Sequence, residues 1–468
     1  MTQLWPTDHK RKSTQFASAS AILLLLSFSF TIVFGLSHDE PVLKPYPTVT
    51  RPAFIEAPDP IYAVRTGIAP NVGESTHPKP SQNVRAIVVY PTGAVLYRGG
   101  VPSQVVPLSG GTNRVTLHEL VAAINDPTWI EEHDDVATVH SPLITIDPTE
   151  FIIDGAQTSR VILDSPTGAF LGAAGGSFTT KSVTISGSST KTQTPTSEQF
   201  RPFFEANGVD APVTLKISNT RFEHLGWDWH SSYGVSLVGA VHGSISNSTV
   251  TKCYFGLYTE QLHEFSVHDS TFSRNTVYGI DLHTGSSDLT IARNTATQNA
   301  SHGIVGSVDV RNSVITGNTS SLNGEDGIVL DERSDHNVVR NNVVTKNTGD
   351  GIAVTGSRNE QLLSNIISNN RIGIRVSANS SAHAKRNVVM GNVLPAQGIA
   401  LSTTANVIDR DHNVKTVPPS RWHFLINYLM WPATALTCLI AILIRRRERQ
   451  QFVHYRFSND PMFKSENS

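Results

Sequence analysis

The residues best suited to proton chemistry lie in the segment YGIDLHTGS, Tyr278 to Ser286, where an aspartate and a histidine stand two positions apart. A carboxylate, an imidazole and a phenol gathered on an open face can exchange protons with a bound molecule, the imidazole most readily near neutral pH. Alternate residues of a strand face opposite sides, so a strand here turns Ile280 and Leu282 inward and exposes Asp281 and His283 on the outer face. Tyr278 lies just before that strand, close enough to reach the same face. Two other readings stay open. The pair is equally what an ordinary solvated strand surface carries, and one histidine among scattered carboxylates is a poor donor set for a metal ion. No metal and no cofactor is expected.

The element that must position the pair is a repeat. The segments YGVSL, FGLYT, YGIDL, HGIVG, DGIVL, DGIAV, IGIRV and QGIAL place glycines at 234, 256, 279, 303, 327, 351, 373 and 398, at intervals of 22 to 25 residues. Between them recur asparagine and valine, as in ARNTATQN, VRNNVVTKN and KRNVVMGN. Short period-2 segments at this interval, with glycine and asparagine at the corners, predict a right-handed parallel β-helix, an all-β solenoid. Asparagine suits the bends because its short side chain tolerates left-handed backbone and can bond to neighbouring backbone groups. Leucine-rich repeats have a similar period, but their consensus and helical pattern are missing. Aligning the glycines stacks Glu260, His283, Ser307 and Asp331 in one outward column. A second column holds Tyr258, Asp281, Val305, Val329, Ala353 and Arg375. The carboxylates beside His283 are expected to raise its pKa and so disfavour the neutral base.

Upstream, PLITIDPTEFIID and its continuation have the strand-and-turn texture of earlier coils. Thr116 and Glu119 open TLHELVAAIND with capping-box spacing, which predicts a helix placed to cover the first coil's edge. The division expected is a signal sequence or signal anchor at 1–36, a proline-rich extracytoplasmic linker at 37–85 and an N-terminal capping region at 86–140. The β-helix follows at 141–412, then a transmembrane helix at 424–444 and a cytoplasmic tail at 445–468. The two flanking membrane helices rest on apolar runs, Phe16 to Leu36 and Phe424 to Ile444, the first preceded by HKRK and the second followed by RRRER. Runs of about 20 apolar residues span a bilayer, and the basic clusters keep both ends in the cytoplasm, leaving the domain on the outer face of the cytoplasmic membrane.

The totals exclude some classes. With 37 Lys and Arg against 39 Asp and Glu, the chain lacks the basic excess of a nucleic-acid partner. Two cysteines, Cys253 and Cys438, provide no disulfide framework and no zinc spacing.

From about residue 110 to 405 the chain resembles the periplasmic mannuronan 5-epimerases of alginate biosynthesis, through FRPFFEANG, LGWDWHSSYGVSL, VYGIDLHTGS, HGIVGSVDVRNS, DGIVLDERSDHNVV and IGIRVSANSS. The resemblance implies a right-handed parallel β-helix in which His283 takes the proton from carbon 5 of a uronate, with Asp281 and Tyr278 matching the family's neighbours. It also implies an extended acidic polysaccharide as partner, with the cytoplasmic membrane and polysaccharide export or polymerisation proteins nearby. The chain departs from the family at Leu282 and Thr284, where the family has proline and aspartate. It departs again at Val308, Glu332 and Ser231, where cations are expected. Arg375, which matches a family arginine, and Arg333 and Arg311, close in sequence to the missing groups, are candidate substrate-binding residues together with Glu260, Tyr258 and Asp331. An epimerase-like protein is the leading expectation. A polysaccharide lyase, which begins with the same proton abstraction, and a non-catalytic glycan-binding scaffold are the alternatives.

Overall fold

The glycine of each repeat marks where the chain crosses its neighbour most closely. A Cβ on Gly279 would sit 2.6 Å from the carbonyl oxygen of Gly303, and one on Gly256 only 2.2 Å from that of Gly279. No side chain fits there, which explains why the repeat is punctuated by glycine. The computed structural model describes residues 85–409 apart from 100, 109–112, 189–200, 229–230, 378, 394–398 and 402–405. The segments expected to be the signal, nearly all of the linker, the span at 424–444 and the tail fall outside the described residues. Among the described residues no helix is long and apolar enough to cross a membrane.

The chain winds as a parallel β-helix with three strands per rung. The rung that carries the opening segment has strands Ile280–His283, Thr290–Ala292 and Thr295–Thr297 before the chain returns at Ile304–Gly306. On the first face Leu257, Ile280, Ile304, Ile328, Ile352 and Ile374 stack in unbroken parallel register. All six are fully buried, as is Leu282, so the expected inward pair is inside the solenoid. Burying one such side chain is worth about 1.5–3 kcal/mol, and repetition along the axis makes a continuous core. The long strand Val235–Ser246 runs through two faces and pairs with both Leu257–Glu260 and Phe265–His268, tying the first face to the second.

Two asparagine ladders fix the bends flanking the third face. In one, Asn275, Asn299, Asn323, Asn347, Asn370 and Asn392 follow rung upon rung, each side-chain oxygen accepting from the backbone N–H and the side-chain amide of the preceding member. In the other, Asn294, Asn318, Asn342, Asn365 and Asn387 do the same. The expected bonding of asparagine to neighbouring backbone groups is what the ladders show, and the expected left-handed backbone is found at Asn341 and Asn369, whereas the ladder members themselves are not left-handed. The left-handed position is the residue before each ladder asparagine, held by Arg274, Gln298, Leu322, Lys346 and Asn369 in one ladder and by Arg293, Gly317, Asn341, Ser364 and Arg386 in the other. Ladder asparagines stay because their amides satisfy buried backbone groups, a role no apolar residue fills.

At the N-terminal end, strand Arg85–Tyr90 pairs antiparallel with Gly93–Arg98 and parallel with Leu143–Ile146 of the first rung. Helix α1, Leu117–Ile124, lies where the spacing predicts. Thr116 and Glu119 form the capping box in both directions, and Leu117, Leu120 and Ile124 enter the solenoid's core.

Candidate functional site

The first face is positioned by parallel pairing, and the pairing fixes which side chains stand over one another. Tyr258 opposes Asp281 and Glu260 opposes His283, and Asp281 in turn opposes Val305. The column then runs through Val329 and Ala353 to Arg375. The aspartate's column is therefore in register throughout, and in the histidine's column Glu260 is paired with His283, while the pairing of the next two rungs ends at Gly306 and Leu330, beside Ser307 and Asp331.

Their burial is not as expected. Asp281 was expected on an exposed face, and it is fully buried. The outer side of this face carries its own apolar cluster, separate from the solenoid core, built from Tyr254, Phe255, Tyr258, Tyr278, Val305, Val329 and Ala353. An aspartate side chain is short enough to disappear among such neighbours. Neither of its carboxylate oxygens has a hydrogen-bond partner among the described residues. Burial, reinforced by the charge of Asp331, pushes the Asp281 carboxyl well above the usual range.

Asp331 stands two rungs from His283 in the histidine's column, with Ser307 between. It is 7% exposed. Its Oδ1 has no partner, and burial together with the charge of Glu332 pushes its carboxyl up to about 7.

His283 is half-buried at the end of strand Ile280–His283. Its ring lies 5.5 Å from that of Tyr258, whose hydroxyl donates to Glu260 Oε2 at 3.0 Å. Nδ1 is 2.6 Å from Thr284 Oγ1. Burial lowers the imidazole pKa, and Glu260 and Glu332 oppose that shift without cancelling it. The sequence-based expectation of a raised pKa is thus corrected: desolvation outweighs the carboxylates, and the ring is neutral at neutral pH. Proton acceptance by Nε2 needs Nδ1–H donating to Thr284, an arrangement the 2.6 Å contact accommodates.

Tyr278 belongs to a different column, the one immediately before the repeat glycines. Tyr233, Phe255, Tyr278 and His302 stack there with ring centroids 4.9, 5.2 and 5.3 Å apart in succession. The stack turns polar below His302. Its Nδ1 accepts from the Asp326 backbone N–H at 3.0 Å, and its Nε2 lies 3.2 Å from Glu325 Oε2. Asp350 follows, gripped by Arg375 and, at 3.3 Å, by Arg371. This column was missed at the sequence level, although the residue before each glycine announces it.

The expected cations are engaged elsewhere. Arg375 is buried with its guanidinium on Asp350 and on Ser377 Oγ. Arg311 and Arg333 both pair with Asp309 at 2.9 Å, on an exposed turn. The charges that act on His283 are carboxylates, Glu332 standing where the family's arginine is expected. Among the described residues no three His, Cys, Asp or Glu side chains gather so as to hold a metal ion.

Family comparisons agree with this geometry. Residues 203–319 and 229–348 match the family described as "Periplasmic copper-binding protein (NosD)", and residues 302–414 match "Right handed beta helix region". The mannuronan C5-epimerase of Pseudomonas syringae pv. tomato is 31% identical over 217 residues, 43% of this chain and 39% of that protein. The resemblance is to mannuronan C5-epimerases. Their Pseudomonas aeruginosa counterpart is 30% identical over 207 residues, 41% of this chain and 37% of that protein. The chain thus spans well under half the length of these curated relatives. The crystal structure of the periplasmic alginate epimerase AlgG superposes with a TM-score of 0.56 at 27% identity, covering 65% of this chain and 73% of that one. The expected resemblance and the right-handed β-helix are both borne out.

Proposed function

We propose that the chain modifies an extended acidic polysaccharide in the manner of a uronate 5-epimerase, with His283 as the base. The observation that carries this reading is a histidine kept neutral by burial on the same rung as Tyr278 and Asp281. In the step proposed, the C5–H bond breaks, its proton passes to His283 Nε2, and its electron pair moves into the carboxylate as an enediolate. Water then protonates C5 on the opposite side and His283 returns its proton to solvent, so the balance closes. Asp281 is buried among the apolar cluster and is assigned no contact with substrate. Arg311, Arg333 and Arg375 are assigned no direct contact, because each is held by an aspartate.

The test is to incubate the full chain with polyuronates in deuterated water and follow deuterium at C5. Incorporation that disappears in His283→Ala supports the reading; no incorporation with any polyuronate sinks it. A second reading, a glycan-binding scaffold, is favoured by Glu260 and Glu332 standing beside His283 in place of cations. It predicts glycan binding without exchange, unchanged in His283→Ala. Tethering to the outer face of the cytoplasmic membrane by 424–444 is also proposed, from the arginines that follow that run. Labelling of the tail beyond Arg449 by a reagent excluded from the cytoplasm would overturn it.

A further inference from the structure

The site lacks the cations that a uronate carboxylate would be expected to meet, yet it keeps a buried acid in the right column. By the spacing of the repeat glycines, His283, Ser307 and Asp331 hold corresponding positions on three successive rungs, which lie about 4.8 Å apart along the axis; the strand pairing beside them runs through Leu282, Gly306 and Leu330. Ser307 has the smallest side chain of the column and so fills the least space between imidazole and carboxyl. We infer that Asp331, as the un-ionised carboxylic acid, donates a hydrogen bond to the carboxylate of the uronate whose C5 lies at His283, filling the role of a cation. The inference rests on the reading above that the substrate is a polyuronate.

Three observations support it. Asp331 is 7% exposed and its Oδ1 has no partner among the described residues, which leaves that oxygen available to a bound group. The charged groups facing it leave it unneutralised. Asp281, whose carboxyl burial also pushes up, and His283 lie on the rung two before, and Glu332 follows directly after its strand. The rungs on either side present only Ser307 and Thr355, and Arg333 is taken up by Asp309. Finally, burial holds the acid near half-protonation at neutral pH, so the donor form exists where a surface aspartate would be wholly ionised. A buried carboxylic acid kept neutral is a known way to stabilise growing oxyanion charge. As His283 removes the C5 proton, charge gathers on the substrate carboxylate and the bond from Asp331 strengthens.

The consequence is a pH-dependent affinity. Ionised Asp331 loses its donor and repels the substrate, so binding holds below pH 7 and weakens above it, by about tenfold between pH 6 and pH 8 for one linked proton. The experiment is calorimetric titration of the full chain with oligomannuronate from pH 5.5 to 8.5, on wild type, Asp331→Asn, Asp331→Ala and His283→Ala. Asp331→Asn keeps a neutral donor of the same shape, and is expected to bind within about threefold of wild type at pH 6 with a flat profile. Asp331→Ala is expected to bind weakly at every pH, and His283→Ala to keep the wild-type fall. A flat wild-type profile, or a fall that survives in Asp331→Asn, overturns the inference and leaves the polyuronate reading standing. The expected profile without deuterium exchange at C5 supports carboxylate recognition by Asp331 and overturns epimerisation. No binding by wild type at any pH overturns both.

Discussion

The ladder asparagines and the first-face carboxyls are both buried polar groups, and the fold treats them in opposite ways. Asn323 accepts from Asn299 twice, and its amide donates to Ala296, Ser320 and Asn347. Asp281 makes no such bond, and half of Asp331's carboxyl is equally bare. A satisfied buried amide stabilises the rung, whereas an unsatisfied buried acid costs free energy that only a bound partner repays. The difference separates the arc that builds the solenoid from the arc suited to substrate.

Opposite signs on mutation are therefore expected. His283→Ala should have the largest effect, lowering the rate of C5 exchange by roughly 10²–10⁴-fold while leaving the unfolding midpoint in place. Asn323→Ala should cost about 2–5 kcal/mol, because it orphans two donors of Asn299 in one cut, and urea unfolding would register it. Asp281→Asn should do the reverse. The folded-state pKa of Asp281 is raised, so wild type loses stability as pH climbs above about 4, the ordinary value in the unfolded chain, and the loss grows towards the folded pKa. Melts should then coincide near pH 4 and separate with rising pH, the variant melting about 2–4 °C higher for each kcal/mol relieved. Identical melts at pH 8 would place Asp281 among the satisfied groups and erase the contrast. The smallest effect is expected for Asp309→Ala, which frees Arg311 and Arg333 from an exposed ion pair at a cost of about 0–1 kcal/mol by thermal melt.

The satisfied arc was nearly all legible in the sequence. Glycine spacing gave the register of the aspartate's column and of Glu260 with His283, and alternation gave Ile280 and Leu282 to the core, since both follow from local geometry repeated along the axis. What alternation cannot report is burial on the outward side. That depends on Tyr258, Val305 and Val329 from other rungs closing over Asp281, and it reversed the expected pKa shift of His283. Arg375 shows the same limit. Its column was read correctly, but its partner Asp350 comes from the preceding rung and a different column. Asparagine has two uses at a corner, and they fall on adjacent positions: Asn341 and Asn369 take the left-handed backbone, and the ladder members after them bond to the neighbouring rung.

The ladders also bear on how such a chain can change length. Asn294 and Asn299, Asn318 and Asn323, Asn342 and Asn347, Asn365 and Asn370, and Asn387 and Asn392 all keep the same short separation, while successive rungs shrink from 24 to 23 to 22 residues. Every lost residue comes from the longer arc, the one that carries the first face. An insertion between paired asparagines would unhook two ladders at once, whereas one in the other arc leaves both intact. Lineages descended from this solenoid are thus free to remodel the arc of the first face residue by residue, and can alter the opposite side only by gaining or losing a whole turn.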